Sequence, residues 1–257
     1  YFDTETSTLN PHNRGFGFFV YGTLPLFIVR YTAEFLGQTD YSALKLLGRQ
    51  FSALADLGTI FLLYLIVAKL YNRRTALLAA AFSAFTVMQI QQSHFFTTDL
   101  FVNLFAFLAI YFAVLILENR VERVEDSDSD NATLTTPKSL FSNHLIWLSI
   151  AFGFAFGLAM ASKVNIFPLA LLLPGAFAIR FIQNKEERER FLKTDSWRLV
   201  TAYLIAGGLV AFVAFRIFHP YAFDGILPSE GWLANIAEQR VQARGDADLP
   251  WNLPWAR

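Results

Sequence analysis

Apolar residues fall in long blocks along this chain, and polar ones collect between them. Six blocks approach or reach the roughly 20 residues that carry a helix across a bilayer core. They lie at about 51–70, 75–92, 98–117, 143–161, 164–182 and 198–218. Only a helix satisfies its own backbone hydrogen bonds in lipid, so the expected fold is an all-α, multi-pass helical bundle. The links between the second and third blocks, and between the fourth and fifth, are very short, which makes each pair an antiparallel hairpin. The stretch 16–36 is short for a span and has Pro25 within it. Its Phe and Tyr residues suit an interfacial or re-entrant element at the headgroup level.

Composition agrees with the pattern. Of 257 residues, 54% are hydrophobic and 16% charged, against about a quarter charged in soluble domains. Net charge is zero, which removes any bulk case for nucleic-acid binding. Cysteine is absent, so Cys-ligated zinc, disulfides and a Cys nucleophile within this chain are excluded. The chain opens at Tyr1 without a signal-peptide pattern and stops after a Pro/Trp-rich stretch. Both ends read as cuts within a longer protein.

Basic residues set the expected orientation. Lys69, Arg73 and Arg74 follow the first block; Arg120, Arg123 and Lys138 follow the third; Arg180, Lys185, Arg188, Arg190, Lys193 and Arg198 follow the fifth. Alternation puts all three links on one side, expected to be cytoplasmic. The expected divisions are then an outer loop at 1–49, a transmembrane core at 50–218 and the start of a further outer loop at 219–257. Within the core, 118–142 reads as a flexible acidic, Ser/Thr-rich linker. The sequon Asn131-Ala132-Thr133 falls on the wrong side for glycosylation.

The same alternation gathers polar residues at the opposite face: His94, Asp99, Lys163, Asn165, Arg216, His219 and Tyr221. Ionisable groups at membrane depth are costly and need a reason. Asp99, in Ser93-His94-Phe95-Phe96-Thr97-Thr98-Asp99, stands where a helix re-enters the bilayer. Asp99 or Thr97 can cap that helix, or Asp99 can serve a site. His94 and Asp99 can share a proton or a metal, or His94 can bond a neighbour; His219 has the same alternatives. Lys163 can snorkel to lipid headgroups or hold an anionic phosphate. Arg216 can snorkel, or pair with a carboxylate or phosphate. Gly153 and Gly157 form a GxxxG motif suited to close helix packing. Pro168 and Pro174 are expected to bend the fifth helix. No Walker loop, dinucleotide fingerprint or nucleophile elbow is present.

Arg49, the run Asn72-Arg73-Arg74-Thr75-Ala76-Leu77-Leu78-Ala79-Ala80, the run Ser93 to Asp99, and Gly157-Leu158-Ala159-Met160-Ala161-Ser162-Lys163 together resemble the dolichyl-phosphate-mannose–protein mannosyltransferases. The lipid A aminoarabinose transferases share the layout, and both are GT-C glycosyltransferases. The resemblance covers most of residues 10–225. It implies a sugar carried on a polyprenyl phosphate and attack by an acceptor hydroxyl at the anomeric carbon, with inversion. It implies a protein, lipid or glycan acceptor, at the extracytoplasmic face of a cell membrane. Asp99 matches the family's second outer-loop Asp and is the expected catalytic carboxylate. Lys163 and Arg216 are expected to bind the lipid phosphate, with His94, His219 and Tyr221 in support. No cofactor is implied for certain; a divalent metal is left open. Two departures stand out. The family's principal base, commonly in an Asp-Glu pair after a first span, has no counterpart here and is expected upstream of Tyr1. Where the aminoarabinose transferases carry Glu-Lys-Pro-Pro, this chain has Tyr21-Gly22-Thr23-Leu24-Pro25, which counts against that reaction and its metal. The alternatives are a transporter or flippase of lipid-linked sugars and a non-catalytic subunit of a membrane complex.

Overall fold

A computed structural model describes residues 3–118, 143–183 and 196–244. The proposed linker at 119–142 and its sequon lie outside the described residues. The chain is an all-α, multi-pass integral membrane protein. Five helical segments are long and apolar enough to cross a membrane: Tyr41–Leu70, Thr98–Glu118, His144–Ser162, Val164–Gln183 and Trp197–Phe218.

The elements run in the following order. Helix α1 is Leu24–Phe35, α2 Tyr41–Leu70, α3 Arg73–Ala84, α4 Val87–Ser93 and α5 Thr98–Glu118. Then come α6 at Asn143–Ser162, a 3-10 turn at Val164–Leu171 and α7 at Leu172–Gln183. Helix α8 is Ser196–Phe218, and a two-stranded hairpin (Phe223–Asp224, Leu227–Pro228) leads to α9 at Glu230–Arg244. The element expected within 16–36 is α1, whose N-terminal Leu24 and Pro25 are buried.

Two sequence expectations need correction. Helix α2 begins at Tyr41, ten residues ahead of the apolar block, with Asp40 accepting the Ala43 N–H at 3.0 Å. Lys45 and Arg49 lie in this added stretch, and neither residue stops a helix. The second block, 75–92, is not one continuous helix: α3 and α4 run back along α2 as two pieces, bringing Gln89 to Asp56 and Phe96 to Gly48. It breaks at Phe85–Thr86, where Thr86 is extended (φ −69°, ψ 116°) and its hydroxyl donates back to the Phe82 carbonyl. The fifth span changes helix type near its prolines: the stretch holding Pro168 is 3-10, and α7 starts just before Pro174.

The core forms where α5, α6, α7 and α8 meet, around Ala109, Ile116, Leu145, Phe152, Phe177 and Tyr203. Apolar surface gains little from leaving lipid, so tight backbone approach has to hold such a seam. The GxxxG motif supplies it. A Cβ on Gly153 would lie 2.0 Å from the Gly207 carbonyl oxygen, and one on Gly157 would lie 2.6 Å from that of Ala211. At one end of the bundle Lys69 reaches Glu118 at 3.7 Å, and Arg180 donates to the Ile116 carbonyl at 2.9 Å. The links after α2, α5 and α7 therefore start from one end, as alternation requires.

Candidate functional site

The opposite end gathers the start of α1, the start of α5 and the ends of α6 and α8. Its organiser is the short run Tyr21-Gly22-Thr23. Tyr21 pairs with Lys163 as an isolated antiparallel bridge, and the Gly22 N–H donates to the Ser162 carbonyl at 2.9 Å. Only glycine fits here, because a Cβ on Gly22 would stand 1.8 Å from the Ala161 oxygen.

This backbone contact fixes Lys163 just beyond α6. Its Nζ donates to Asp99 Oδ1 at 2.6 Å and lies 5.9 Å from the centre of the Tyr21 ring. Asp99 is in the first turn of α5, where the helix dipole favours a carboxylate. The Lys163 and Asp99 side chains are 26% and 43% exposed, so the pair is open to a ligand. Beside it is a cavity of about 370 Å³ lined by Phe19, Tyr21, Leu26, Phe96, Thr97, Thr98 and Asp99. The Thr97 and Thr98 hydroxyls are buried without a hydrogen-bond partner among the described residues. Thr97 thus makes no capping bond, and Asp99 spends its carboxylate on Lys163.

A second contact lies against the first. His219, 5% exposed, follows the end of α8. Its Nδ1 accepts the Thr23 N–H at 3.2 Å, while the Thr23 hydroxyl donates to the Phe218 carbonyl at 2.9 Å. An accepting Nδ1 assigns the neutral ring with its proton on Nε2. Burial, helped by nearby His12, pushes the His219 pKa down from 6.5 to about 4.

The other expected residues are placed as follows. Tyr221 is buried, its hydroxyl 2.7 Å from Ser7 Oγ, and burial raises its pKa. Arg216 donates from Nε to the Gly225 carbonyl at 3.0 Å and from Nη1 to that of Pro220 at 3.4 Å, with its guanidinium over the Phe223 ring. It braces the hairpin after α8. His94 hydrogen-bonds the Ile90 carbonyl of its own helix at 2.7 Å. Asn165 lines a separate cleft of about 490 Å³ with Trp232, Gln239 and Arg240. The structure therefore joins Asp99 to Lys163, and Thr23 to His219. It does not join His94 to Asp99. Among the described residues no three His, Cys, Asp or Glu side chains cluster as a metal site. His94 is turned to its own helix and Asp99 to an ammonium, so the pair does not fit a divalent metal.

Sequence reasoning missed two participants. Tyr21-Gly22-Thr23 entered only as a departure from a motif. Asp56 was passed over, although it is the lone charge between Arg49 and Lys69. A buried acid in an apolar run is itself a signal.

The class defined so far is a multi-pass helical membrane protein with an open Lys–Asp pair at one end of its bundle. Residues 23–123 match the family described as Dolichyl-phosphate-mannose-protein mannosyltransferase, which supports a GT-C, mannosyltransferase-like family for this chain. The matched stretch contains Thr23 and Asp99 and ends before Lys163. No curated protein matches the chain, and no solved structure does.

Proposed function

We propose that this chain is part of a glycosyltransferase that moves a sugar from a polyprenyl-phosphate carrier to an acceptor hydroxyl. The observation that carries the reading is the 2.6 Å Lys163–Asp99 pair, half-open beside an aromatic-lined cavity, with Asp99 inside the family match. The acceptor oxygen attacks the anomeric carbon from the face opposite the phosphate, and the bond from that carbon to the phosphate oxygen breaks. The configuration inverts, the acceptor proton passes to a carboxylate and the polyprenyl phosphate leaves with the bonding electrons.

Lys163 is suited to the departing phosphate. An ammonium has three donors, and Asp99 takes one of them. Charge that develops on the phosphate is then met by a preorganised cation. Asp99 orients that cation and stands as the carboxylate of the centre, with the family's principal base in the first outer loop. Phe19, Tyr21 and Phe96 offer faces for a sugar ring or the first isoprene unit. Arg216 holds the hairpin after α8 through the Gly225 and Pro220 carbonyls, and so stands outside the Lys163–Asp99 pair. Basic links at the other end of the bundle support an extracytoplasmic side for this site.

The test uses the intact protein in proteoliposomes with a panel of polyprenyl-phosphate sugars, following sugar transfer and carrier release. Lys163→Ala and Asp99→Asn should each lower turnover by at least about 100-fold, roughly 2.7 kcal/mol of barrier. Turnover untouched by either change overturns these residue roles. No turnover with any donor, from folded protein, overturns the enzyme reading in favour of a transporter.

A further inference from the structure

Asp56 sits within the apolar length of α2 and is 9% exposed. About 10 Å of helix rise separates it from Arg49. A carboxylate at that depth is expensive, and among the described residues Gln89 Nε2 of α4 meets it, donating to Asp56 Oδ1 at 2.5 Å.

The element making this contact has little else to hold it. Helix α4 has seven residues and none of them is buried. Its Val87, Met88 and Ile90 are exposed, and in lipid such side chains gain nothing by docking on a neighbour. Gly48, Ser52 and Asp56 lie four residues apart on one face of α2. Gly48 meets the Phe96 ring just beyond α4, where a Cβ would stand 2.8 Å from it. Ser52 falls between these two contacts. Gln89 and Gln92 are three apart on α4 and share a face. Ser52 Oγ and Gln92 Oε1 are both buried without a partner among the described residues. The α2–α4 seam is thus polar, unlike the glycine-tight seam between α6 and α8. From α4 the chain passes through residues 94–97 into α5, whose second residue is Asp99.

We propose that Asp56 is a positioning residue: by accepting the Gln89 hydrogen bond it docks α4 on α2, and so sets the segment that delivers Asp99 to Lys163. The role needs an acceptor oxygen and not a charge. It rests on the proposed transfer reaction only for its kinetic consequence.

Two measurements on the intact protein test it. The chain contributes no cysteine of its own, so spin labels on Leu46→Cys and Phe95→Cys, both at exposed positions, report the distance from α2 to the segment after α4. That distance distribution should be narrow in the parent and in Asp56→Asn, whose Oδ1 still accepts. It should broaden in Asp56→Leu and in Gln89→Leu. Displacing a reacting group by about 1 Å can cost about 100-fold. Turnover should therefore fall by about 10-fold or more in the two Leu variants, with donor KM within about threefold. Asp56→Asn should stay within about threefold of the parent, and the double Leu variant should be no worse than either single one. A narrow distribution in both Leu variants overturns the docking role. So does an Asp56→Asn variant as impaired as Asp56→Leu with the parent's distances, since the carboxylate would then act by its charge. If the parent transfers no sugar, the transfer reading fails, and the distances still decide the role of Asp56. If Asp56→Leu does not fold, Asp56→Asn and Gln89→Leu carry the test.

Discussion

Two polar ties meet at the Asp99 end of the bundle, and they differ in kind. Thr23–His219 is buried, uncharged and directed by backbone groups. Lys163–Asp99 is charged and half-open. Burial without charge avoids the desolvation penalty, so the first tie can hold helices together. Exposure with charge gives little stability, typically about 0–1 kcal/mol, yet leaves donors that can meet an incoming anion. Tyr21-Gly22-Thr23 touches both, so one short segment couples the structural tie to the chemical one.

The largest effect expected is from Gly22→Val. Its added atoms strike the Ala161 oxygen and drive the run off α6, which breaks both ties. A loss above about 4 kcal/mol is expected. Resistance of the folded protein to protease in nanodiscs reads it, and near-parent stability would show that the two ties are not coupled through Gly22.

Acid comes next and acts on the buried tie. The native His219 pKa is depressed from 6.5 to about 4, so the unfolded chain binds the extra proton first. The contribution is fully present above about pH 6.5 and is lost as pH falls towards 4, by about 3 kcal/mol at most. Thermal midpoints across that window should fall in the parent and fall less steeply in His219→Gln. Equal slopes would remove His219 as the source.

Thr23→Val deletes the hydroxyl that reaches the Phe218 carbonyl and keeps the amide bond to His219. It should cost about 1–2 kcal/mol, readable as a lowered midpoint with transfer largely intact. Smallest in stability is Lys163→Ala, within about 1 kcal/mol of the parent. A midpoint lowered by much more would mean that the open tie also carries structure.

Much of the architecture is legible in the sequence because lipid demands long apolar runs, and five runs became helical segments each long and apolar enough to cross alone. The second is split into α3 and α4 at Phe85–Thr86, and hydropathy over a window does not reveal a local break. The start of α2 was hidden because residues 41–50 are helical without being apolar. Topology brings Asp99 and Lys163 to one face, and the side-chain geometry then makes them a pair. The bridge from Tyr21 to Lys163 has no local signature, since the Gly22 contact depends on a residue far along the chain. Arg216 had several eligible partners in sequence; the hairpin carbonyls that hold it follow α8 and carry no distinguishing residue type.

The Gly22–Ser162 hydrogen bond also has a consequence for biogenesis. At about 5–20 residues per second, the ribosome takes roughly 7–30 s to get from one partner to the other. During that time α1 has left the ribosome, but the helix it must dock against does not yet exist. The end of the bundle that bears Asp99 can close only after α6 has entered the membrane, so its assembly follows insertion and cannot guide it.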